Sequence, residues 1–202
     1  MPFECPYRII FLRHGETDWN LAGRFQGQRD IPLNALGREQ APAAGRMVLN
    51  YLGPDAAAIL ADIDFVASPL QRTRETMELA RTAMGLLPNP YDMDDRLKEL
   101  SFGTWEGLVW REVVARDGDL ARARERDKWG FVPPQGESYL MLGERLRPWV
   151  ASLTGDCIVV AHGGVARALL NLIGGMAPDA APTASIWQGR PLVFEGGAYC
   201  WL

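Results

Sequence analysis

Two histidines stand where an apolar, strand-like run gives way to glycine, and they are the only histidines in the chain. His14 follows the run 7–12, and His162 follows the run 158–161. Ligands of α/β proteins bind beyond the carboxyl ends of parallel strands, so we expect both side chains to meet at one ligand site. A histidine in such a place can act as a nucleophile or carry a proton.

Arginines near these histidines indicate that the ligand is an anion. Arg13 precedes His14, and Arg72 lies at the start of a predicted helix that follows another predicted strand. Guanidinium groups match phosphate oxygens in geometry and charge, and a helix N-terminus favours negative charge. Gly15 would let an anion approach the backbone closely. A strand-end histidine can also be a packing residue, and Arg72 a solvated helix residue, but the combination favours a phosphate site.

A carboxylate with apolar neighbours is the candidate general acid. Glu99 lies beside Leu100 and Phe102, and partial desolvation there would favour a protonated carboxyl that can donate to a leaving group. Glu106 is interpreted either as a cap or as a solvated charge. Four further residues near the two histidines are candidates for contact with a bound anion: Asn20, Gln26, Gly27 and Gly163.

The elements that must position these residues alternate between strands and helices, which is typical of a mainly parallel sheet covered by helices. The predicted strands are 7–12, 63–67, 158–161, 184–188, 192–195 and 198–202, and the predicted helices are 35–49, 70–84, 136–149 and 165–173. Asn34 is the expected N-cap of the first helix, in which Pro42 predicts a kink or a delayed start.

The segment 108–135 is predicted to be helical and to cover the substrate site. Its stretch 121–129 is charged with little apolar face, so we expect it to be exposed. Trp129 and Phe131 either line an apolar substrate pocket or pack against helices; the sequence leaves both interpretations open.

Bulk composition limits the domain number and the partners. A chain of 202 residues can form one core, and we expect a single domain over 1–202. A net charge of −4 argues against nucleic-acid binding, and no apolar run has the length of a membrane span. Three separated cysteines and no signal-peptide pattern favour a cytoplasmic protein. The C-terminal strands offer an edge at which two copies could pair as a homodimer.

The segment 13–17, RHGET, together with Trp19 and Asn20, resembles the signature of the histidine phosphatase superfamily, which has a phosphoglycerate mutase-like fold. A lone RHG motif is weak evidence, but five further blocks follow in the family's order over nearly the whole chain. These blocks are 26–33, 68–72, 99–107, 136–138 and 162–163. The resemblance therefore implies a three-layer α/β/α fold.

The resemblance also implies roles for individual residues. His14 would be the nucleophile and become phosphohistidine, while Glu99 would protonate the leaving oxygen and then activate water. The phosphoryl group would be bound by Arg13, Arg72 and His162, with help from Asn20. Because the arginines supply the positive charge, no metal and no cofactor is expected.

Relatives with this chemistry differ in whether water or a second hydroxyl accepts the phosphoryl group. Mutases tend to be longer and carry Arg-His-Tyr-Gly after the catalytic glutamate, whereas Glu99 is followed by LSFGTWEG. The sequence therefore favours a phosphomonoesterase that acts on small phosphorylated metabolites. A cofactor-dependent phosphoglycerate mutase and a catalytically idle phosphate-binding module are the alternatives. A zinc hydrolase is disfavoured because HExxH is absent.

Overall fold

The apolar runs of the sequence become the inner strands of one mixed sheet in the computed structural model, which describes residues 3–202. Within these residues the sheet has six strands, in the order β3-β2-β4-β1-β5-β6. The strands are β1 (Ile9–Arg13), β2 (Asp64–Ala67), β3 (Asp92–Met93), β4 (Cys157–Ala161), β5 (Leu192–Glu195) and β6 (Ala198–Trp201). The first four in that order run parallel, while β5 and β6 add antiparallel strands at one edge.

Helices cover both faces of this sheet. The helices of the described chain are α1 (Asp18–Leu21), α2 (Ala35–Leu52), α3 (Ala56–Asp62), α4 (Gln71–Ala83), α5 (Trp110–Arg116), α6 (Gly118–Arg126), α7 (Tyr139–Ala151) and α8 (Gly163–Leu172). One face is covered by α2 and α4, which pack against each other, and the other by α7 and α8. The predicted three-layer α/β/α architecture with a mainly parallel sheet is confirmed.

Strand β1 shows why its sequence is continuously apolar. Ile9 and Phe11 pack into the core on the α7–α8 side, whereas Ile10 and Leu12 pack into the core on the α2–α4 side. A strand buried on both faces cannot alternate apolar and polar residues. Each of these buried side chains contributes about 1.5–3 kcal/mol relative to an exposed one.

Helix α2 begins where its predicted cap places it. Asn34 accepts a hydrogen bond from the Gly37 amide at its side-chain oxygen, over 2.9 Å. The helix runs on to Leu52, three residues beyond the prediction, and continues through Pro42. The expected delay of its start is therefore wrong, because the cap fixes the helix start well before the proline.

Two predictions for the second half of the chain are corrected by the structure. The segment 184–188 is not a strand; it is irregular chain near the site, where the Ile186 carbonyl accepts a hydrogen bond from Arg13. The helix predicted within 121–129 starts earlier and ends at Arg126. It is also not simply exposed, since Ala121 is buried in a small core around Trp105.

The sequence reasoning missed the short elements α3 and β3. A membrane-crossing helix, which would have to be long and apolar, does not occur in the part of the chain that the structure describes.

Candidate phosphate site

Three neighbouring parallel strands end at the same edge of the sheet and bring the candidate residues together. In the register of β1 and β4, Arg13 lies opposite Ala161, so the next residues on each strand are the two histidines. The amide of His14 donates to the carbonyl of Ala161 over 3.0 Å, and the two imidazole rings lie 5.2 Å apart between centroids. Ser68 follows β2 at the same level, where its amide donates to Val160.

His14 is held as a neutral imidazole with a defined tautomer. The side chain is buried, and its Nδ1 lies 2.7 Å from the carbonyl oxygen of Gly15, which can only accept. The proton is therefore on Nδ1, and Nε2 carries a lone pair. Burial lowers the pKa of His14 well below its ordinary value, and the charges of Arg72 and Arg13 lower it further. A neutral nitrogen with a free lone pair is the form that a nucleophile requires.

The two arginines, one buried and one half-buried, are fixed by main-chain carbonyls. Arg72 is fully buried, and its two terminal nitrogens donate to the carbonyls of Arg29 and Gly27 over 2.7 and 2.9 Å. Arg13 donates to Ile186 over 2.8 Å. Burial lowers the pKa of each guanidinium to about 10, so both remain charged at neutral pH. Neither forms an ion pair with a carboxylate of residues 3–202.

His162 is buried beside Ser68, whose hydroxyl oxygen lies 2.8 Å from Nε2 of the ring. Its Nδ1 is buried without a hydrogen-bond partner in the described chain. Burial lowers the pKa of His162 well below its ordinary value, with the charge of Arg72 as the next cause. The second histidine is therefore also neutral, with one ring nitrogen available to a ligand.

Glu99 borders the same cleft and is oriented by two backbone amides. One carboxyl oxygen accepts from the Leu100 amide over 2.8 Å, and the other accepts from the Gly164 amide over 3.2 Å. A Cβ on Gly164 would overlap with the carboxyl group of Glu99. The glycine at the second position of α8 thus makes room for the carboxylate at the site.

The loop after β1 places the remaining candidates. Thr17 caps α1, and its hydroxyl contacts the side-chain oxygens of both Asn20 and Gln26. The Asn20 oxygen also accepts from the side-chain amide of Gln188 over 3.0 Å. Asn20, Gln26 and Gly27 all border the cleft, as does Gly163 at the start of α8.

Gly15 serves a different purpose from the expected one. A Cβ at Gly15 would overlap with the backbone of Gly37 in α2, and a Cβ at Gly37 would overlap with the backbone of Glu16. The glycine therefore permits close packing of the RHG turn against α2, rather than the approach of an anion that the sequence reasoning assumed. Its amide donates to the hydroxyl of Thr76 over 3.0 Å.

Of the two interpretations of Glu106, the structure supports the cap, because its carboxyl group binds main-chain amides and is largely buried rather than solvated. One of its oxygens accepts from the amides of Gln28 and Phe102, and the other lies 3.4 Å from Arg29 Nε. It ties the loop after α1 to the segment that carries Glu99.

Trp129 and Phe131 are packing residues. Trp129 stacks on Tyr139 with 5.8 Å between ring centroids, and Phe131 stacks on Trp105 at 5.5 Å. Within the described chain neither borders the cleft beside His14.

The cleft has a volume of about 340 Å³ and includes residues that the sequence reasoning did not select. Three of them have polar side chains: Arg124, Tyr139 and Arg167. Signals for both arginines were present in the sequence. Arg167 lies one turn into the helix that follows His162, and long helical side chains point back towards the N-terminus. Arg124 lies three residues after the buried Ala121 and so shares its inward face.

Comparison with protein families agrees with this geometry. A family model described as the histidine phosphatase superfamily (branch 1) matches residues 9–190. The match spans the elements from β1 to the segment before β5, and so contains both histidines, Arg13, Arg72 and Glu99.

Individual relatives carry two kinds of name. Glucosyl-3-phosphoglycerate phosphatase of Mycobacterium tuberculosis (strain CDC 1551 / Oshkosh) is 34% identical over 175 residues, which cover 80% of this chain and 73% of the relative. A 2,3-bisphosphoglycerate-dependent phosphoglycerate mutase of Beijerinckia indica is 31% identical over 194 residues, covering 93% and 90%. The solved structure of the mycobacterial glucosyl-3-phosphoglycerate phosphatase in complex with VO3 has a TM-score of 0.78 at 30% identity, covering 97% of this chain and 96% of that one.

Proposed function

The chain belongs to the histidine phosphatase superfamily (branch 1), and from this we propose that it hydrolyses phosphomonoesters of small metabolites through a phosphohistidine on His14. Phosphatases of small phosphorylated metabolites are among its relatives, and the enzyme class predicted from the sequence is the one they support. The roles given below to single residues are part of this proposal.

One observation carries the proposal more than any other. Five buried side-chain nitrogens of the described residues lack a hydrogen-bond partner, and three of them belong to residues at the His14 site: Arg13 Nε, Arg72 Nε and His162 Nδ1. A buried polar group without a partner costs about 1–3 kcal/mol, and a bound ligand at the site would offset that cost for these three groups. Two cationic donors and one neutral ring around a free imidazole nitrogen suit a phosphoryl group.

The first step transfers the phosphoryl group to the enzyme. His14 Nε2 attacks phosphorus, the P–N bond forms and the ester P–O bond breaks. The leaving oxygen takes a proton from the carboxyl group of Glu99, and an alcohol departs. Arg13 and Arg72 neutralise the charge on the phosphoryl oxygens, and their main-chain contacts keep them in place before the substrate arrives.

The second step returns the enzyme to its starting state. A water oxygen attacks phosphorus, the P–N bond breaks and the electron pair returns to His14 Nε2. The water gives a proton to the Glu99 carboxylate, and orthophosphate leaves. The hydrogen bond from Nδ1 of His14 to Gly15 keeps the ring in one orientation during both steps.

A phosphoglycerate mutase is the second candidate, because relatives with that name are about as similar as the phosphatases. In a mutase the hydroxyl of a second substrate molecule would take the place of water at the phosphohistidine. A bisphosphoglycerate primer would then be required, which the hydrolytic reaction does not need.

Phosphate release from a panel of phosphomonoesters tests the proposal. The panel includes p-nitrophenyl phosphate, and 3-phosphoglycerate with and without 2,3-bisphosphoglycerate, each in the presence of EDTA. We expect chelator-resistant release that is lost in His14→Asn, whose side-chain amide can keep the hydrogen bond to Gly15. Primer-dependent formation of 2-phosphoglycerate without release would establish the mutase instead. If the protein neither releases phosphate nor forms 2-phosphoglycerate but still binds anions, a phosphate-binding module would be favoured.

Two finer proposals concern the cellular compartment of the enzyme and its oligomeric state. All three cysteines are unpaired thiols, which supports a reducing compartment such as the cytoplasm. Among residues 3–202, strand β6 pairs only with β5 and lies at the sheet edge, so a homodimer would form by pairing of two β6 strands. Light scattering of the purified protein distinguishes a dimer from a monomer, and a monomeric mass would refute the homodimer proposal.

A further inference from the structure

The cleft beside His14 has more positive charge than one phosphoryl group requires. Within the described chain its lining contains five arginines and one carboxylate, that of Glu99. The five are Arg13, Arg24, Arg72, Arg124 and Arg167. Arg13 and Arg72 account for the phosphoryl group. Arg24 is 39% exposed to solvent, donates to the Gly107 carbonyl over 2.6 Å and lies 3.5 Å from Glu112, so it needs no further partner. Two arginines therefore remain to be explained.

Arg124 is mostly buried and is held by aromatic rings. Its side chain is only 16% exposed, and its guanidinium lies over the rings of Phe25 and Trp110, at 5.8 and 5.4 Å from their centroids. Its one acidic neighbour among residues 3–202 is Glu125, at 3.5 Å, and that side chain is half exposed. Burial lowers the pKa of Arg124, and the charge of Arg167 acts in the same direction. A buried charge with so weak a partner is costly unless a ligand offsets it.

Arg167 projects from α8 into the same space. Its Nε donates to the Ala184 carbonyl over 3.0 Å, which fixes the guanidinium without neutralising it. No carboxylate of the described residues forms an ion pair with it. Its Nη1 and Arg13 Nε lie 3.4 and 3.5 Å from the position that a Cβ on Gly163 would occupy. Arg167 thus lies beside Arg13 at the phosphate site, and Arg124 lines the same cleft close enough for the two charges to act on each other.

We propose that the substrate of this enzyme carries a second anionic group, a carboxylate or a second phosphate, which binds between Arg124 and Arg167. The inference rests on the proposed phosphatase function and narrows its substrate class. Tyr139 borders the same space, and burial raises the pKa of its hydroxyl, which therefore stays protonated and can donate to the second anion. Sugar monophosphates without a second charge would leave Arg167 without an anionic partner, and Arg124 with only the half-exposed Glu125.

Matched substrate pairs test this inference. In the first pair, 3-phosphoglycerate has a carboxylate where glycerol 3-phosphate has a hydroxymethyl group. In the second pair, fructose 1,6-bisphosphate has a phosphate that fructose 6-phosphate lacks. The readout is the ratio of kcat/KM within each pair. Arg124→Met keeps the aliphatic packing against Phe25, and Arg167→Met is the second variant. Arg122→Met is the control, because Arg122 lies on the same helix with its side chain 68% exposed.

We expect the wild-type enzyme to prefer the substrate with two anionic groups in at least one pair, and the pair that shows it identifies the second group. A lost charge-assisted hydrogen bond corresponds to about 10- to 100-fold. The ratio should therefore fall by that factor in Arg124→Met and in Arg167→Met, and stay unchanged in Arg122→Met. Equal losses on both members of each pair would overturn the inference and make the arginines structural or phosphoryl-binding. No release from any substrate, p-nitrophenyl phosphate included, would instead refute the proposed function.

Discussion

Acidification between pH 7 and pH 5 should destabilise this protein through its two histidines. Both are buried and neutral, and the pKa of each lies well below its ordinary value. An unfolded histidine takes up a proton below about pH 6.5, whereas the folded ones do not until much lower pH. The unfolded state therefore binds more protons in this window, and the free energy of unfolding falls as the pH falls.

The magnitude follows from linkage. Consider a histidine that stays neutral in the folded state and has a pKa of about 6.5 when unfolded. Between pH 7 and pH 5 it lowers the free energy of unfolding by about 2 kcal/mol, so two such residues lower it by about 4 kcal/mol. That is a large share of the roughly 5–15 kcal/mol by which domains are stable. Because the chain has no other histidine, little else titrates in this range.

Urea unfolding followed by tryptophan fluorescence measures this effect, in buffers without phosphate or sulfate, since a bound anion would stabilise the folded state. His14→Asn keeps a donor to Gly15, and His162→Gln keeps a polar group near Ser68. Each variant should lose about half of the pH dependence, and the double variant nearly all of it. A wild-type protein equally stable at pH 7 and pH 5 would refute the claim that both imidazoles are held neutral.

Three further predictions concern the site itself. Glu99→Gln should lower kcat/KM for alkyl phosphates far more than for p-nitrophenyl phosphate, whose leaving group needs no proton, because kcat/KM reports the transfer to His14 and not the later hydrolysis; equal losses in kcat/KM on both would mean that Glu99 is not the acid. Gly164→Ala should lower kcat at least about 10-fold, because the new Cβ displaces the Glu99 carboxyl group. Gly143→Ala is the control: a Cβ there meets nothing within 4 Å, so kcat should be unchanged and the free energy of unfolding should rise by about 0.5–1 kcal/mol. Arg72→Met should lower kcat about 100- to 1,000-fold and weaken inhibition by vanadate, and full vanadate affinity in that variant would count against its role.

Much of this arrangement could be predicted because periodicity and strand ends carry the information. A strand covered on both faces has to be apolar throughout, so β1 and β4 were visible as runs, and the residues after them were the natural candidates for a ligand site. The family resemblance then pointed to Arg72 and Glu99. In the structure both line one cleft with His14, while His162 is buried behind it, with its ring 5.2 Å from that of His14.

Other features depend on contacts between distant segments and were not visible. The segment 184–188 has the composition of a strand but pairs with no strand of the described chain, so it is irregular chain beside Arg13. The reason for Gly15 lies in the backbone of Gly37, and the reason for Gly164 lies in the side chain of Glu99. Such close approaches are set by tertiary packing, which a linear pattern does not encode.

The central claim is that His14 carries the phosphoryl group. Brief reaction with a phosphomonoester, a neutral denaturing quench and peptide mass spectrometry would locate it, because phosphohistidine survives at neutral pH and is lost in acid. The account predicts acid-labile phosphate on the peptide that contains His14, at a higher level in Glu99→Gln, where hydrolysis of the intermediate is slowed, and none in His14→Asn. Phosphate on His162 instead, or turnover in His14→Asn at the wild-type rate, would contradict it.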